Sequence, residues 1–173
     1  LTKYIEDFLV FLSGNVLDAL YNDNSFNRRN YESTFKNSVN VVNDSILSIK
    51  NKFRKSLGGP HGDFREIFLN VNLNNLNIIT EDDIFIEGYR EKLTEIIKTK
   101  LLETSFKNYR TEETTQEDIK RYFNDFDNIA PNGNFLISDY GIKYVYNTYE
   151  IASFAAGKFT VCIYNSEIKD ILK

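Results

Sequence analysis

The motif Gly58-Gly59-Pro60-His61-Gly62, within Ser56 to Phe64, is where side chains most obviously could do chemistry. His61 is the only histidine of the chain, so a histidine-built metal site or a Ser-His-Asp relay would have to be assembled around it. Asp63, Glu150 or another acid could partner it in hydrolysis. A glycine-rich stretch also suggests a phosphate cradle, but no Gly-Lys-Ser/Thr follows and a strand pattern, not a helix, comes next. The simpler account gives the glycines unusual backbone angles and has His61 hold the turn through a side-chain hydrogen bond. The acidic pairs Asp82-Asp83 and Glu112-Glu113 sit where helix capping or a solvated loop explains them. Cys162, the single cysteine, lies between Val161 and Ile163 and reads as a small buried hydrophobe; it excludes an internal disulfide framework. No catalytic set is visible, and no cofactor motif.

A second loop raises a different possibility. Tyr149 and Glu150 lead into Ala152-Ser153-Phe154-Ala155-Ala156-Gly157, one large ring among small residues. Phe154 could fold inward under a wide connection between strands, or stand out as an apolar anchor on a scaffolded loop. Composition leaves both open.

Length and charge narrow the class. The chain has 173 residues, 42% hydrophobic and 27% charged, with a formal charge of −4, so it can bury a substantial core and folds without disulfides. That charge argues against nucleic acid, which needs a concentrated basic face. Lys50-Asn51-Lys52-Phe53-Arg54-Lys55 alternates as a strand with one solvated face would. No run reaches the roughly 18 apolar residues of a membrane span. The lack of any methionine suggests a chain that begins partway through a gene product, which leaves room for a removed signal or a lipid anchor.

The elements that position these loops follow from periodicity. Tyr4, Ile5, Phe8, Leu9, Leu12, Val16, Leu17 and Leu20 have helical spacing. The β-branched runs around Asn43-Asp44 predict a hairpin, and the alternation from Phe68 to Leu73 a half-buried strand. Thr80-Glu81-Asp82-Asp83 carries capping chemistry for a helix with the stripe Tyr89, Leu93, Ile96, Ile97 and Leu101. A shorter helix presents Ile119, Tyr122, Phe123 and Phe126. Phe135 to Ile137, Ile142 to Tyr146 and Phe159 to Ile163 form antiparallel strands, and Ser166 to Leu172 a last helix. The predicted fold is α+β, an antiparallel sheet with helices packed on one face.

Four separated segments carry a family resemblance: GGPHG at 58–62, EDDIF at 81–85, GNFLISDYGIKYVYNTYEIASFAAG at 133–157 and IYNSEIKDIL at 163–172. In order and spacing they resemble the extracytoplasmic domain of unknown function of RsiV-type anti-sigma factors, whose N-terminal part is related to that of PdaC-type peptidoglycan deacetylases. The resemblance runs from about Val39 to Lys173. It divides the chain into an N-terminal helix and hairpin region, 1–62, and a C-terminal α+β region, 63–173, forming one compact unit. It implies a non-catalytic cell-envelope domain outside the cytoplasm, often on a lipid- or membrane-anchored protein. RsiV-type members recognise lysozyme, and the contact surface would combine the turn at Ser56, Gly58, Gly59, Pro60, His61 and Gly62 with Tyr149, Glu150, Ser153, Phe154 and Gly157. The family loop usually reads Ala-Pro-Tyr-Ala-Ala-Gly, so this chain lacks the proline that would fix a backbone angle.

The leading expectation is therefore a non-enzymatic envelope module binding a lysozyme-like protein or a peptidoglycan-related ligand. An envelope glycan hydrolase or deacetylase-associated module using His61 is the alternative, and a structural module of a lipoprotein the third.

Overall fold

The computed structural model describes residues 31–57, 61–109 and 114–173. The helical pattern expected over 4–20, and Gly58, Gly59 and Pro60, lie outside them. The elements are β1 (Tyr31–Val42), β2 (Ile46–Leu57), β3 (Asp63–Asn72), α1 (Glu81–Ile84), α2 (Tyr89–Tyr109), α3 (Gln116–Lys120), β4 (Phe135–Ser138), β5 (Gly141–Tyr146), β6 (Phe159–Tyr164) and α4 (Asn165–Ile168). The fold is mixed α+β, as its sequence implies. Its strands divide, however, into two antiparallel sheets of three, β1-β2-β3 and β4-β5-β6, where periodicity suggested one.

The expected hairpin is β1-β2. Asn43 and Asp44 take φ of 50° and 52°, and Ser45 N donates to Val42 O, so the tight turn puts two residues that tolerate positive φ where it needs them. β3 then pairs with β2 over ten residues, placing His61, just before β3, at one end of the first sheet.

The helical stripe forms as predicted, but after a break: α1 is a single turn whose Asp83 carboxylate accepts from Thr80 N and Oγ1, both at 2.7 Å, and α2 starts afresh at Tyr89. Tyr89, Leu93, Ile97 and Leu101 are buried at four-residue spacing against Phe135, Ile142, Tyr144, Val161 and Ile163 of the second sheet. Each buried Leu or Ile contributes about 1.5–3 kcal/mol. In α3, Thr115 Oγ1 accepts from Asp118 N while Asp118 caps Thr115 in return, and Ile119 and Phe123 enter the same core. Tyr122 is exposed instead, because α3 ends at Lys120 and the helical stripe ends with it. The last helix is one turn, Asn165–Ile168, shorter than its pattern suggests; Ile168 and Ile171 are still buried.

Cys162 corrects the expectation of burial. On β6 the residues Phe159, Val161 and Ile163 face the core, and period-two alternation sends Cys162 to the exposed side, opposite Lys143. At the β4-β5 turn, Gly141 has φ of 152°, and a Cβ there would lie 2.0 Å from Ile163 O. Only glycine lets β5 and β6 approach this closely.

Two asparagines join the sheets edge to edge. β3 and β4 are both edge strands. The Asn134 amide accepts from Phe68 N (2.9 Å) and donates to Glu66 O (2.9 Å), the pattern a neighbouring strand would supply. Reciprocally, Asn70 donates to Phe135 O (2.8 Å) and accepts from Ile137 N (3.0 Å) on β4. Ser48 Oγ closes the contact by donating to Asn70 Oδ1 and Ile137 O. Side-chain amides thus satisfy two edges that would otherwise offer unpaired backbone groups.

Candidate functional site

His61 lies between β2 and β3, two residues before Asp63; Phe154 opens a single 3-10 turn, Phe154–Ala156, between β5 and β6. They are 93 positions apart in sequence, yet their ring centroids lie 4.2 Å apart, tilted by 46°. Tyr149 adds a third ring, 5.5 Å from Phe154. Phe154 is half-buried and packed between the other two, so neither simple alternative for it holds: one face is covered by its ring neighbours, while Tyr149 and His61 stay exposed. His61 meets the Phe154 ring, and the turn residues it was expected to hold, Gly58, Gly59 and Pro60, lie outside the described residues.

Local geometry builds the second loop. Glu150 Oε2 accepts from Asn147 N (2.6 Å), Glu150 Oε1 accepts from Asn132 Nδ2 (2.5 Å), and Glu150 N donates back to Asn147 O. The turn holds Tyr149 at φ 71° and turns its ring outward. Asn147 in turn accepts from Glu66 N (2.7 Å), tying the loop to the edge of β3. Gly157, at φ 73°, ends the 3-10 turn with its N–H donating to Phe154 O.

Of the other residues singled out in the sequence, Ser56 pairs with Glu32 near the end of β2, Gly62 leads into β3, and Ser153 is exposed beside Phe154. The structure therefore brings His61, Tyr149 and Phe154 together. It turns Glu150 to loop support, and Asp63 lies with Arg65, whose Nε is 3.2 Å from a carboxylate oxygen. Among the described residues, no three His, Cys, Asp or Glu side chains group as metal ligands.

Two charged centres escaped the sequence. Glu81 looked like a capping acid but is buried, accepting from Tyr89 Oη (3.1 Å), Tyr144 Oη (3.1 Å) and Gly133 N (3.0 Å), with Arg90 3.5 Å away. Burial, then the neighbouring Glu81 charge, pushes the Tyr89 hydroxyl up to about 12 and raises Tyr144 as well. Both phenols stay protonated and donate. This centre pins α1, α2 and β5 together.

The second is Glu66 on β3. Burial alone would raise its carboxyl, but Lys158 and Lys50 outweigh that and hold it below the usual range. Lys50 Nζ lies 3.0 Å away, and Lys158 reaches it from the residue after Gly157. The alternation of Lys50, Lys52 and Arg54 marked one strand face in advance; the cross-strand partners of that face needed the register.

Residues 82–165 match the family model described as "Protein of unknown function (DUF3298)". The chain is similar to the crystal structure of a DUF3298 family member from Bacteroides fragilis, at 24% identity and a TM-score of 0.70, covering 99% of this chain and 66% of that one. A DUF3298 family protein from Pseudomonas aeruginosa is similar at 15% identity and a TM-score of 0.65, over 85% of this chain and 65% of that one. The chain thus spans 66% and 65% of the length of these two proteins, which share its fold. No curated protein matches it. Among the described residues, no helix is long and apolar enough to cross a membrane.

Proposed function

We propose that this chain is a non-catalytic recognition module of the bacterial cell envelope, working outside the cytoplasm and related to the RsiV-type and PdaC-type domains its motifs resemble. Its ligand is a lysozyme-like protein or a peptidoglycan-related glycan. The observation that carries this reading is the contact of His61 with Phe154, which unites two loops remote in sequence into one ring-bearing surface. Aromatic rings on rigid scaffolds are strong anchors because they cover large area and lose little conformational freedom.

The geometry favours recognition over hydrolysis. Glu150 uses both carboxylate oxygens to hold its loop, and Asp63 is engaged by Arg65, so neither acid stands ready beside His61. Calorimetric titration of lysozyme and of soluble peptidoglycan fragments against the wild type and Phe154→Ala tests the reading. Loss of an anchor residue should weaken binding by about 2 kcal/mol, some thirtyfold. Identical binding of both proteins to a genuine ligand would remove Phe154 from the surface.

A further inference from the structure

The first sheet carries a cationic groove beside the ring cluster. Register places Thr34, Arg54 and Phe64 in one row across β1, β2 and β3, and Lys36, Lys52 and Glu66 in the next row of the same face. Thr148 and Lys158, which flank the loop bearing Tyr149 and Phe154, close the far side around a cavity of 480 Å³.

Three features set this face apart from an ordinary solvated strand surface. Lys36 and Lys52 stand directly opposite each other on adjacent strands, an arrangement of like charges that weakens a sheet. Among the described residues, the one carboxylate lining the groove is Glu66, which already faces Lys50, Lys52 and Lys158, and Lys36 and Arg54 form no ion pair there. Arg54 instead lies over the exposed Phe64 ring, 5.3 Å from its centroid. Arg54 is exposed, so its forked donors stay open to solvent. In a chain of net charge −4, Lys36, Lys52, Arg54 and Lys158 thus line one concave place against a single carboxylate among the described residues.

Resting on the recognition role proposed above, we infer that this groove binds a carboxylate-bearing glycan. Cations at sheet spacing take its carboxylates, Arg54 bidentately, and the rings of Phe64, Phe154 and Tyr149 take the apolar faces of its sugars. A polymer that alternates flat C–H faces with carboxylates fits cations set around the Phe64 ring, with Thr148 and Lys158 leading from the groove to the loop that bears Tyr149 and Phe154. An acidic peptide or a phosphate polymer would use the charges and leave the rings idle.

The test is calorimetry on the full chain with soluble peptidoglycan fragments, the same fragments with their carboxylates amidated, oligogalacturonate, polyglutamate and polyphosphate. Free-carboxylate fragments and oligogalacturonate should bind, and amidated fragments should not. Binding should weaken about tenfold or more between about 0.1 M and about 1 M salt, as the screening length falls from about 10 Å to about 3 Å. The Lys36→Gln/Arg54→Gln variant, folded by circular dichroism, should lose about tenfold in affinity. Equal binding of amidated and free fragments, an unchanged double variant, or equally tight polyglutamate or polyphosphate would overturn the inference. If fragments bind through Phe154 independently of Lys36 and Arg54, the groove fails and the recognition role stands. If oligogalacturonate binds through the groove while peptidoglycan and lysozyme are ignored, the groove stands and the envelope reading fails. No binding by any probe overturns both.

Discussion

Across the second sheet, Phe135, Tyr144 and Val161 stand in one row on three strands, and each is at most 3% exposed. Across the first sheet, one row reads Lys36, Lys52 and Glu66. Both rows belong to three-stranded antiparallel sheets of the same small protein. The second sheet is held from its face, by α2 laying Leu93, Ile97 and Leu101 on it. The first is held from its edge, by Asn70, Asn134 and Asn147, and from its long hairpin register. A sheet fixed by its edge keeps a face available, and that face carries the groove. The two regions therefore divide the work: apolar burial supplies stability in one, and amide hydrogen bonds position a polar surface in the other.

The sharpest way to break this contrast is at the second sheet. Gly141→Ala would drive a Cβ into Ile163 O, so β5 and β6 must part; a loss of more than about 3 kcal/mol is expected, with both sheets unfolding together in urea. If only the second sheet unfolds, the first does not depend on that core.

Asn70→Leu addresses the edge. It removes the partners of Phe135 O, Ile137 N and Ser48 Oγ at once, and should cost about 2–3 kcal/mol. Hydrogen exchange should quicken at Ile137 and along β3 while Tyr144 and Val161 stay protected. Uniform quickening across both sheets would mean that the edge and the core form one cooperative unit.

The smallest effect is a pH dependence. Because the Glu66 carboxyl is depressed in the folded state, its stabilisation is complete above the unfolded value of about 4.3 and is lost as pH falls through the lower folded value. Glu66→Gln should lower stability at neutral pH yet flatten part of the acid decline seen in urea midpoints between about pH 7 and about pH 3. Asp83, Asp118, Glu167 and Asp170 are also depressed and keep the rest of that decline. An acid decline identical to wild type would show that Lys50 and Lys158 do not hold Glu66 in solution.

What could be read in advance differs between the regions for the same reason. The stripe Tyr89, Leu93, Ile97, Leu101 and the β5 and β6 runs repeat an apolar residue at a fixed period, so the core announced itself. Cys162 misled because its neighbours Val161 and Ile163 are apolar, although alternation from Phe159 already assigns it to the other face. The edge stitches gave no signal: Asn70, Asn134 and Asn147 lie among many asparagines, and an amide becomes a strand mimic only when a second edge stands opposite it.

The amino-acid sequence by itself determined the element types, the hairpin at Asn43-Asp44, the buried stripe of α2 and the presence of two small-residue loops carrying His61 and Phe154. Each depends on local backbone preference or on periodicity, which neighbours within a few residues decide. Tertiary structure alone decided that there are two sheets, that their edges meet through asparagines, that Glu81 is buried between two tyrosines, and that Lys36 stands across from Lys52. Those facts depend on strand register and on contacts between residues dozens of positions apart, where a shift of one residue would send every side chain to the other face.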